Sequence, residues 1–476
     1  MKKNIFFFMA ILFAFAGCRK DIQPVDERLS TSVPQQAATS ARPNIILIVG
    51  DDIGYEVPTC DGGQSYLTPN LDKLAKQGVR LTQCHGSPLC SPSRFMLFTG
   101  KYNFRNYTKW GIMDLGQKTI ANMFRDAGYK TLIAGKWQFD GGDNSIRTLG
   151  FDNYLVWEPY TGQDEMTDGS RYKNPMLYQN GAFLPTGQTQ GKYGDDMFTS
   201  YILQFLDTNY NKPDPFFVYY PMALGHKPFC PTPDDPEFAG WNPDLGISDS
   251  TFFPSMVKYM DKKIGLILNR VNTLGIANNT IILYVGDNGT SGEIYSMFQG
   301  TLIRGGKSHP NEYGTHVPMI AWAPNRFPAG IVNNNLVDFT DFLPTMATLA
   351  NIAKPVSYGI LDGTDFSAQL YGQPGTPRSQ IFCHFDPHPG HSKISRWVQN
   401  TQYKNMIHSR RPVRKINFTI SSWTQTKTIP SPLLHGHPRK KRFAKASMQF
   451  FRRCTIEIIA SSPGEHISAW KAGRKF

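Results

Sequence analysis

The sequence predicts an α/β fold: a large, mostly parallel sheet flanked by helices, followed by a smaller α+β C-terminal domain. Three observations carry this. Short apolar runs end in glycine and then acidic or amide residues, as in NIILIVGDD and TIILYVGDN; such runs mark strands buried on both faces. Amphipathic helical segments alternate with them, which is the pattern of a parallel sheet. From about residue 376 the pattern shifts to short strands and loops.

Taken in order, NIILIVGDD is the first strand and delivers Asp51 and Asp52 past its carboxyl end. TPNLDKLAKQGV is a helix: Thr68 caps it, Pro69 suits the first turn, Leu71, Leu74 and Ala75 share one face, and Gly78 stops it. The Ser-Pro-Ser-Arg stretch after Cys90 opens another helix, whose N-terminus favours an anion. TIANMFRDAGYKTLIAGKW repeats the logic, with a helix stopped at Gly128 and a strand ending near Lys136. PFFVYYPMALGHKPF is a buried strand running into a loop with His226. A long amphipathic helix, VKYMDKKIGLILNRVNTLG, precedes the strand that delivers Asp287 and Asn288. VDFTDFLPTMATLANIAKP reads as one more helix. Sites in such sheets form beyond the carboxyl ends of the strands. Asp51, Asp52, Lys136, His226, Asp287 and Asn288 are therefore expected on one edge.

A chain of 476 residues holds a large core, and 40% hydrophobic and 13% aromatic residues fit a globular enzyme. The net charge of +13 is a property of the tail: residues 401–476 carry 16 Lys and Arg against 2 Asp and Glu. The rest of the chain is nearly neutral, which argues against a nucleic-acid partner.

The two carboxylates after one strand and the Asp287–Asn288 pair after another offer oxygen ligands to a hard divalent cation, Ca²⁺ or Mg²⁺. One such pair alone reads as a turn; two at matching strand ends read as a metal site. Lys136 and Lys307 suit a tetrahedral anionic ester, whose oxygens their ammonium groups neutralise. The Cys90 thiol, by its residues alone, is open to four roles: core packing, a disulfide, a metal ligand or a nucleophile. Cys60 and Cys84 are candidates for disulfides, and sequence does not choose among pairings.

In order along the chain, DDIGY, TPNLDKLAKQGV, CSPSRFMLFTG, AGKW, GHKPF, VGDNGT, RGGKSHPNEYGTHVPMIAWAP and DGTDFSAQLYG resemble the type I, formylglycine-dependent sulfatases. The resemblance covers roughly residues 43–404, and CSPSRFMLFTG is similar to their C-x-P-S-R signature. It implies an alkaline-phosphatase-like fold and hydrolysis of a sulfate ester, with a carbohydrate as the expected substrate. In that pattern a maturation enzyme oxidises Cys90 to formylglycine, whose hydrate attacks sulfur and later releases sulfate by elimination. The same pattern implies that Arg94 holds the hydrate, and that Lys136 and Lys307 clamp sulfate oxygens. His226 serves the sulfate or the leaving alcohol. Asp51, Asp52, Asp287 and Asn288 bind Ca²⁺, which also contacts the modified Cys90.

Two departures stand out. Gln138 occupies the place where many sulfatases have a histidine, so it offers a binding amide rather than a proton shuttle. The basic tail, residues 405–476, replaces the family's usual last strand and helix. It reads as a shifted reading frame or, alternatively, as a basic arm for polyanions. In the segment CHFDPHPGH, the residues His384, Asp386 and His388, with Arg396 beyond it, are candidates for contacting a sugar.

The remaining boundaries follow. Residues 1–18, MKKNIFFFMAILFAFAGC, resemble a lipoprotein signal with Cys18 as the lipidated residue. Residues 19–42 form a polar tether, 43–375 the catalytic domain and 376–404 the start of the small subdomain. The expected protein is exported and lipid-anchored in the bacterial envelope, periplasmic or at the outer membrane. Alternatives are a phosphonate or phosphate ester hydrolase of the same superfamily, and a non-catalytic glycan-binding lipoprotein.

Overall fold

Asn44–Gly50 is fully buried and forms β1, the middle of a ten-stranded sheet. The computed structural model describes residues 42–157, 159, 169–354, 356–387, 389 and 394–409. The signal segment with Cys18, the tether up to residue 41, His388 and the tail beyond Ser409 lie outside the described residues.

The other strands are β2 (Val79–His85), β3 (Lys130–Lys136), β4 (Asn153–Trp157), β5 (Tyr178–Gln179), β6 (Ala182–Phe183), β7 (Phe216–Pro221) and β8 (Thr280–Gly286). After them come β9 (Tyr295–Phe298), β10 (Thr301–Arg304), β11 (His316–Trp322), β12 (Ile331–Asp338), β13 (Ile381–Phe385), β14 (Ile394–Gln399) and β15 (Lys404–Ser409). The large sheet runs β12-β2-β11-β8-β1-β7-β3-β4-β5-β6. Its five central strands, β8, β1, β7, β3 and β4, are parallel. Their carboxyl ends therefore share one edge.

Alternation along β1 explains why the runs are apolar throughout. Ile45, Leu47 and Val49 pack into one core, and Ile46 and Ile48 into the other, on the opposite face. The first core takes the helix Cys90–Thr99 and the second takes the long helix Phe253–Thr273. Full burial of each such side chain contributes about 1.5–3 kcal/mol. β9 and β10 form a hairpin, and β13–β15 form a small antiparallel sheet at the C-terminal side.

Three expectations change. The pattern VDFTDFLPTM predicts helix from Val337, but Val337 and Asp338 close β12 and the helix starts at Phe342. Asp338 switches the chain between the two states: its side chain accepts from Thr340 in a capping box with Asp341. Thr68 precedes the helix Pro69–Gln77 without capping it, because its hydroxyl is engaged with Thr59. Cys60 and Cys84 are free, as are Cys90, Cys230 and Cys383. Among the described residues no helix is long and apolar enough to cross a membrane.

Candidate active site

Gly50 and Gly286 pair in register at the ends of β1 and β8, so Asp51–Asp52 and Asp287–Asn288 emerge side by side. Two glycines allow the close approach. A Cβ on Gly286 would stand 2.0 Å from the Ile53 carbonyl oxygen. One on Gly225, which has a φ of 100°, would stand 2.3 Å from that of Asp51 and push away the loop carrying His226.

All four of Asp51, Asp52, Asp287 and Asn288 are fully buried. The Asp52 amide donates to Asp287 Oδ1 at 3.0 Å, and Asn288 Nδ2 donates to Asp52 Oδ1 at 2.8 Å. These bonds hold Asp52 at a φ of 57°, a left-handed conformation uncommon outside glycine. Three cations close the cluster. Lys136 Nζ lies 2.8 Å from Asp51 Oδ2, and Lys307 Nζ 2.6 Å from Asp52 Oδ2. Arg94 reaches Asp287 Oδ2 through Nη2 at 2.9 Å and Nε at 3.1 Å.

Cys90 is the first residue of the helix Cys90–Thr99, all of which is buried. Its Sγ meets Gln138 Nε2 at 2.9 Å. Ligand atoms of Cys90, Asp51 and Asp287 lie within 4.8 Å of one another. Arg94, one turn along the same helix face, points at the same place.

The donor set fits a hard divalent cation. Asp51 Oδ1 and Asn288 Oδ1 are buried and accept no hydrogen bond, a costly state that a Ca²⁺ or Mg²⁺ ion relieves. The carboxylates are not equivalent. Burial raises Asp51, but Lys136, His226, Arg94 and Lys307 outweigh it and hold that carboxyl below the usual range. Burial, reinforced by Asp51, pushes Asp287 up to about 7 against the pull of Arg94. Burial also raises Asp52.

The sulfatase family profile matches residues 43–352. The chain belongs to the sulfatase family. It is a sulfuric ester hydrolase of the alkaline-phosphatase-like superfamily. This sulfatase is 29% identical over 366 residues to N-acetylgalactosamine-6-sulfatase of Mus musculus, across 70% of this chain and 67% of the relative. It is 28% identical over 375 residues to arylsulfatase A of Homo sapiens, across 72% of this chain and 71% of that one. Among solved structures, Ps i-CgsB in complex with k-i-k-neocarrahexaose matches with a TM-score of 0.64 at 25% identity, covering 77% of this chain and 84% of that chain.

His226 sits at the rim of the sulfatase site, with Nε2 3.8 Å from Asp52 Oδ2. Its Nδ1 is 2.6 Å from the Lys227 carbonyl oxygen, which only accepts, so Nδ1 carries a proton. Burial, with Lys307 and Lys136, holds this imidazole well below its ordinary pKa. The Lys307 ammonium is raised instead: burial opposes its charge, but Asp52 outweighs burial.

The second group of candidates divides. His384 is buried and accepts from Arg396 Nε at 3.0 Å; burial and then Arg396 push it down to about 3. It is a neutral acceptor packed near Phe104, at 6.0 Å between ring centres. Asp386 is buried as well and acts on Tyr107. The Tyr107 hydroxyl donates to the Pro387 carbonyl at 3.4 Å, and burial, Cys90 and Asp386 together raise its pKa.

Sequence reasoning missed three site neighbours, Tyr107, Trp157 and Arg171. Tyr107 and Arg171 lie in no motif. Trp157 had a signal, since it ends the apolar run NYLVW, which is β4 and reaches the same sheet edge.

Proposed function

We propose that this sulfatase removes sulfate from a sulfated carbohydrate, with Cys90 converted to formylglycine by a maturation enzyme and a divalent cation, Ca²⁺ or alternatively Mg²⁺, held by Asp51, Asp52, Asp287 and Asn288. The observation that carries this reading is the convergence of those four buried residues and three cations on Cys90. A carbohydrate substrate is supported by the relatives: one is named for N-acetylgalactosamine-6-sulfate chemistry, and Ps i-CgsB was solved with a carrageenan-type oligosaccharide.

Formylglycine supplies an aldehyde hydrate, an oxygen nucleophile that a thiol is not. The surroundings of residue 90 suit an oxygen. Gln138 aims an N–H donor at it, and sulfur is a weaker acceptor than a hydroxyl. The cation, when bound, lowers the pKa of the attacking hydroxyl and draws charge from a sulfate oxygen.

The chain's own residues do the rest. Arg94 stays fixed on Asp287 and orients the residue 90 oxygen. Lys136 and Lys307 approach from opposite carboxylates and neutralise sulfate oxygens as charge develops. The helix N-terminus at Cys90 adds its dipole to the same end. His226 faces the leaving alcohol with Nε2. Burial, then Lys307 and Lys136, hold the imidazole neutral; an arriving sulfate offsets the two cations and so shifts His226 toward the protonated acid.

The sequence start, MKKNIFFFMAILFAFAGC, supports export with lipidation at Cys18 and placement in the bacterial envelope. The function is tested with protein co-expressed with a maturation enzyme, comparing an aryl sulfate with an aryl phosphodiester and a phosphonate monoester. The reading expects preference for the sulfate ester, lost in Cys90→Ala. Preference for either phosphorus ester rejects it in favour of the phosphonate or phosphate hydrolase alternative.

A further inference from the structure

We propose that Arg171, laid against Trp157 beside His226, is a subsite for a second negatively charged group, a carboxylate or a further sulfate, on the glycan that carries the scissile ester. This rests on the reading of a sulfated carbohydrate as substrate.

Charge accounting singles out this residue. The three carboxylates of the centre, Asp51, Asp52 and Asp287, are matched by Lys136, Lys307 and Arg94. Lys227, beside His226, is paired with Glu293. Structural arginines elsewhere also hold a carboxylate, as Arg105 does with Asp362 and Arg378 with Asp341. Arg171 has no carboxylate partner among the described residues. Its guanidinium carbon lies 3.9 Å from the centre of the Trp157 ring and 5.8 Å from that of Tyr172.

Its polar neighbour is not an acceptor either. Arg171 Nη1 is 3.2 Å from His226 Nδ1. That nitrogen already gives its proton to the Lys227 carbonyl, so two donors face each other. A guanidinium seated over an indole ring leaves N–H groups that the ring does not engage, and its fork matches a carboxylate or sulfate with two parallel hydrogen bonds. An anion placed there satisfies Arg171 and relieves the contact with Nδ1–H at once.

The segment is held rigidly in this position. Trp157 Nε1 donates to the Gly169 carbonyl at 2.8 Å. The Tyr172 hydroxyl donates to the Ala223 carbonyl at 2.6 Å and also contacts that of His226, tying the segment to the His226 loop. Lys173 Nζ is fastened to the carbonyls of Phe238, Ala239 and Trp241. A Cβ on Gly194 would stand 1.9 Å from the Arg171 carbonyl oxygen, so the backbone is packed as well. Trp157 ends β4, at the same sheet edge as Lys136. Arg171 thus lies across the His226 imidazole from Asp52, at the outer edge of the same site.

The test uses three substrates sharing one scissile sulfate. One has a neutral sugar neighbour, one a uronate neighbour, and one a second sulfate on the same sugar. Arg171→Gln is expected to lower kcat/KM on one or both dianionic substrates about 10–100-fold more than on the neutral one. Which dianionic substrate suffers identifies the group that Arg171 takes. Arg171→Lys keeps the charge but loses the fork and the stack, and is expected to fall between. Equal losses on all three substrates overturn the proposal, because they mark Arg171 as support for His226 alone.

A binding measurement separates this subsite from the catalytic reading. Calorimetry on Cys90→Ala is expected to show tighter binding of the dianionic glycans than of the neutral one. That difference should vanish in Cys90→Ala/Arg171→Gln. If it appears while wild type hydrolyses no sulfate ester, the subsite stands and the catalytic reading fails. If wild type hydrolyses sulfate and the difference is absent, the subsite fails.

Discussion

Gln138 points its side-chain nitrogen at Cys90 Sγ, 2.9 Å away, from a backbone held at a φ of 60°. A bulky residue in this left-handed conformation marks a position whose side chain is aimed by its surroundings. An amide there donates a hydrogen bond but does not titrate. Gln138→Ala should therefore lower kcat/KM by about 10–100-fold, the worth of one bond to a developing charge. Gln138→His should add a limb to the pH–rate profile in the imidazole range. A Gln138→Ala enzyme with wild-type kcat/KM contradicts this role.

Cation binding should appear as stability. Asp51 Oδ1 and Asn288 Oδ1 lack partners, and Asp287 is raised to about 7 beside Asp51. Adding Ca²⁺ to EDTA-treated protein at 100 times its Kd should stabilise the fold by about 2.7 kcal/mol. Differential scanning calorimetry measures this as a rise in Tm. Asp52→Asn should abolish the rise, and a variant that keeps it in full places the cation elsewhere.

His384 sets an acid limit on stability. The free imidazole titrates near 6.5 and the folded one near 3, because burial and Arg396 disfavour its charge. Between those values the unfolded chain takes up a proton that the folded chain refuses, so stability falls as pH drops from 6.5 toward 3. The slope reaches roughly 1 kcal/mol per pH unit. Urea unfolding at pH 7 and pH 5 should show a smaller acid loss in His384→Gln than in wild type. An equal loss in both contradicts the buried, neutral assignment.

Arg378 fastens the small sheet to the main domain. Its Nε reaches Asp341 Oδ2 at 2.8 Å, Nη2 pairs with Asp341 Oδ1, and Nη1 lies 3.4 Å from the Tyr102 hydroxyl. Arg378→Met leaves Asp341 buried without its partner and should cost about 3–5 kcal/mol in urea unfolding. A loss below about 1 kcal/mol would show that water or another group replaces the guanidinium.

The central sheet was legible because β1, β3, β7 and β8 are buried on both faces, which forces continuous apolar runs with polar residues only past their ends. That rule places Asp51, Asp52, Lys136, Asp287 and Asn288 on one edge from the pattern of the strands alone. It failed at β12, where polar Asn333, Asn334 and Asn335 interrupt an edge strand and the following helix extended the apolar pattern backward. Arg171 was illegible for another reason. Its meaning depends on Trp157 and His226, which are remote in sequence and meet only through tertiary packing. His384 looked like a surface ligand because periodicity does not report that Arg396, on the neighbouring strand, already occupies its nitrogen.

On the proposed mechanism residue 90 acts as an aldehyde hydrate rather than a thiol. Mass spectrometry of the peptide spanning residues 81–94, from protein co-expressed with a maturation enzyme, tests it most directly. The peptide is expected to be lighter than the encoded one by the difference between a cysteine and a formylglycine side chain, and reactive toward an aldehyde probe. An unmodified Cys90 in protein that still hydrolyses sulfate esters would contradict it.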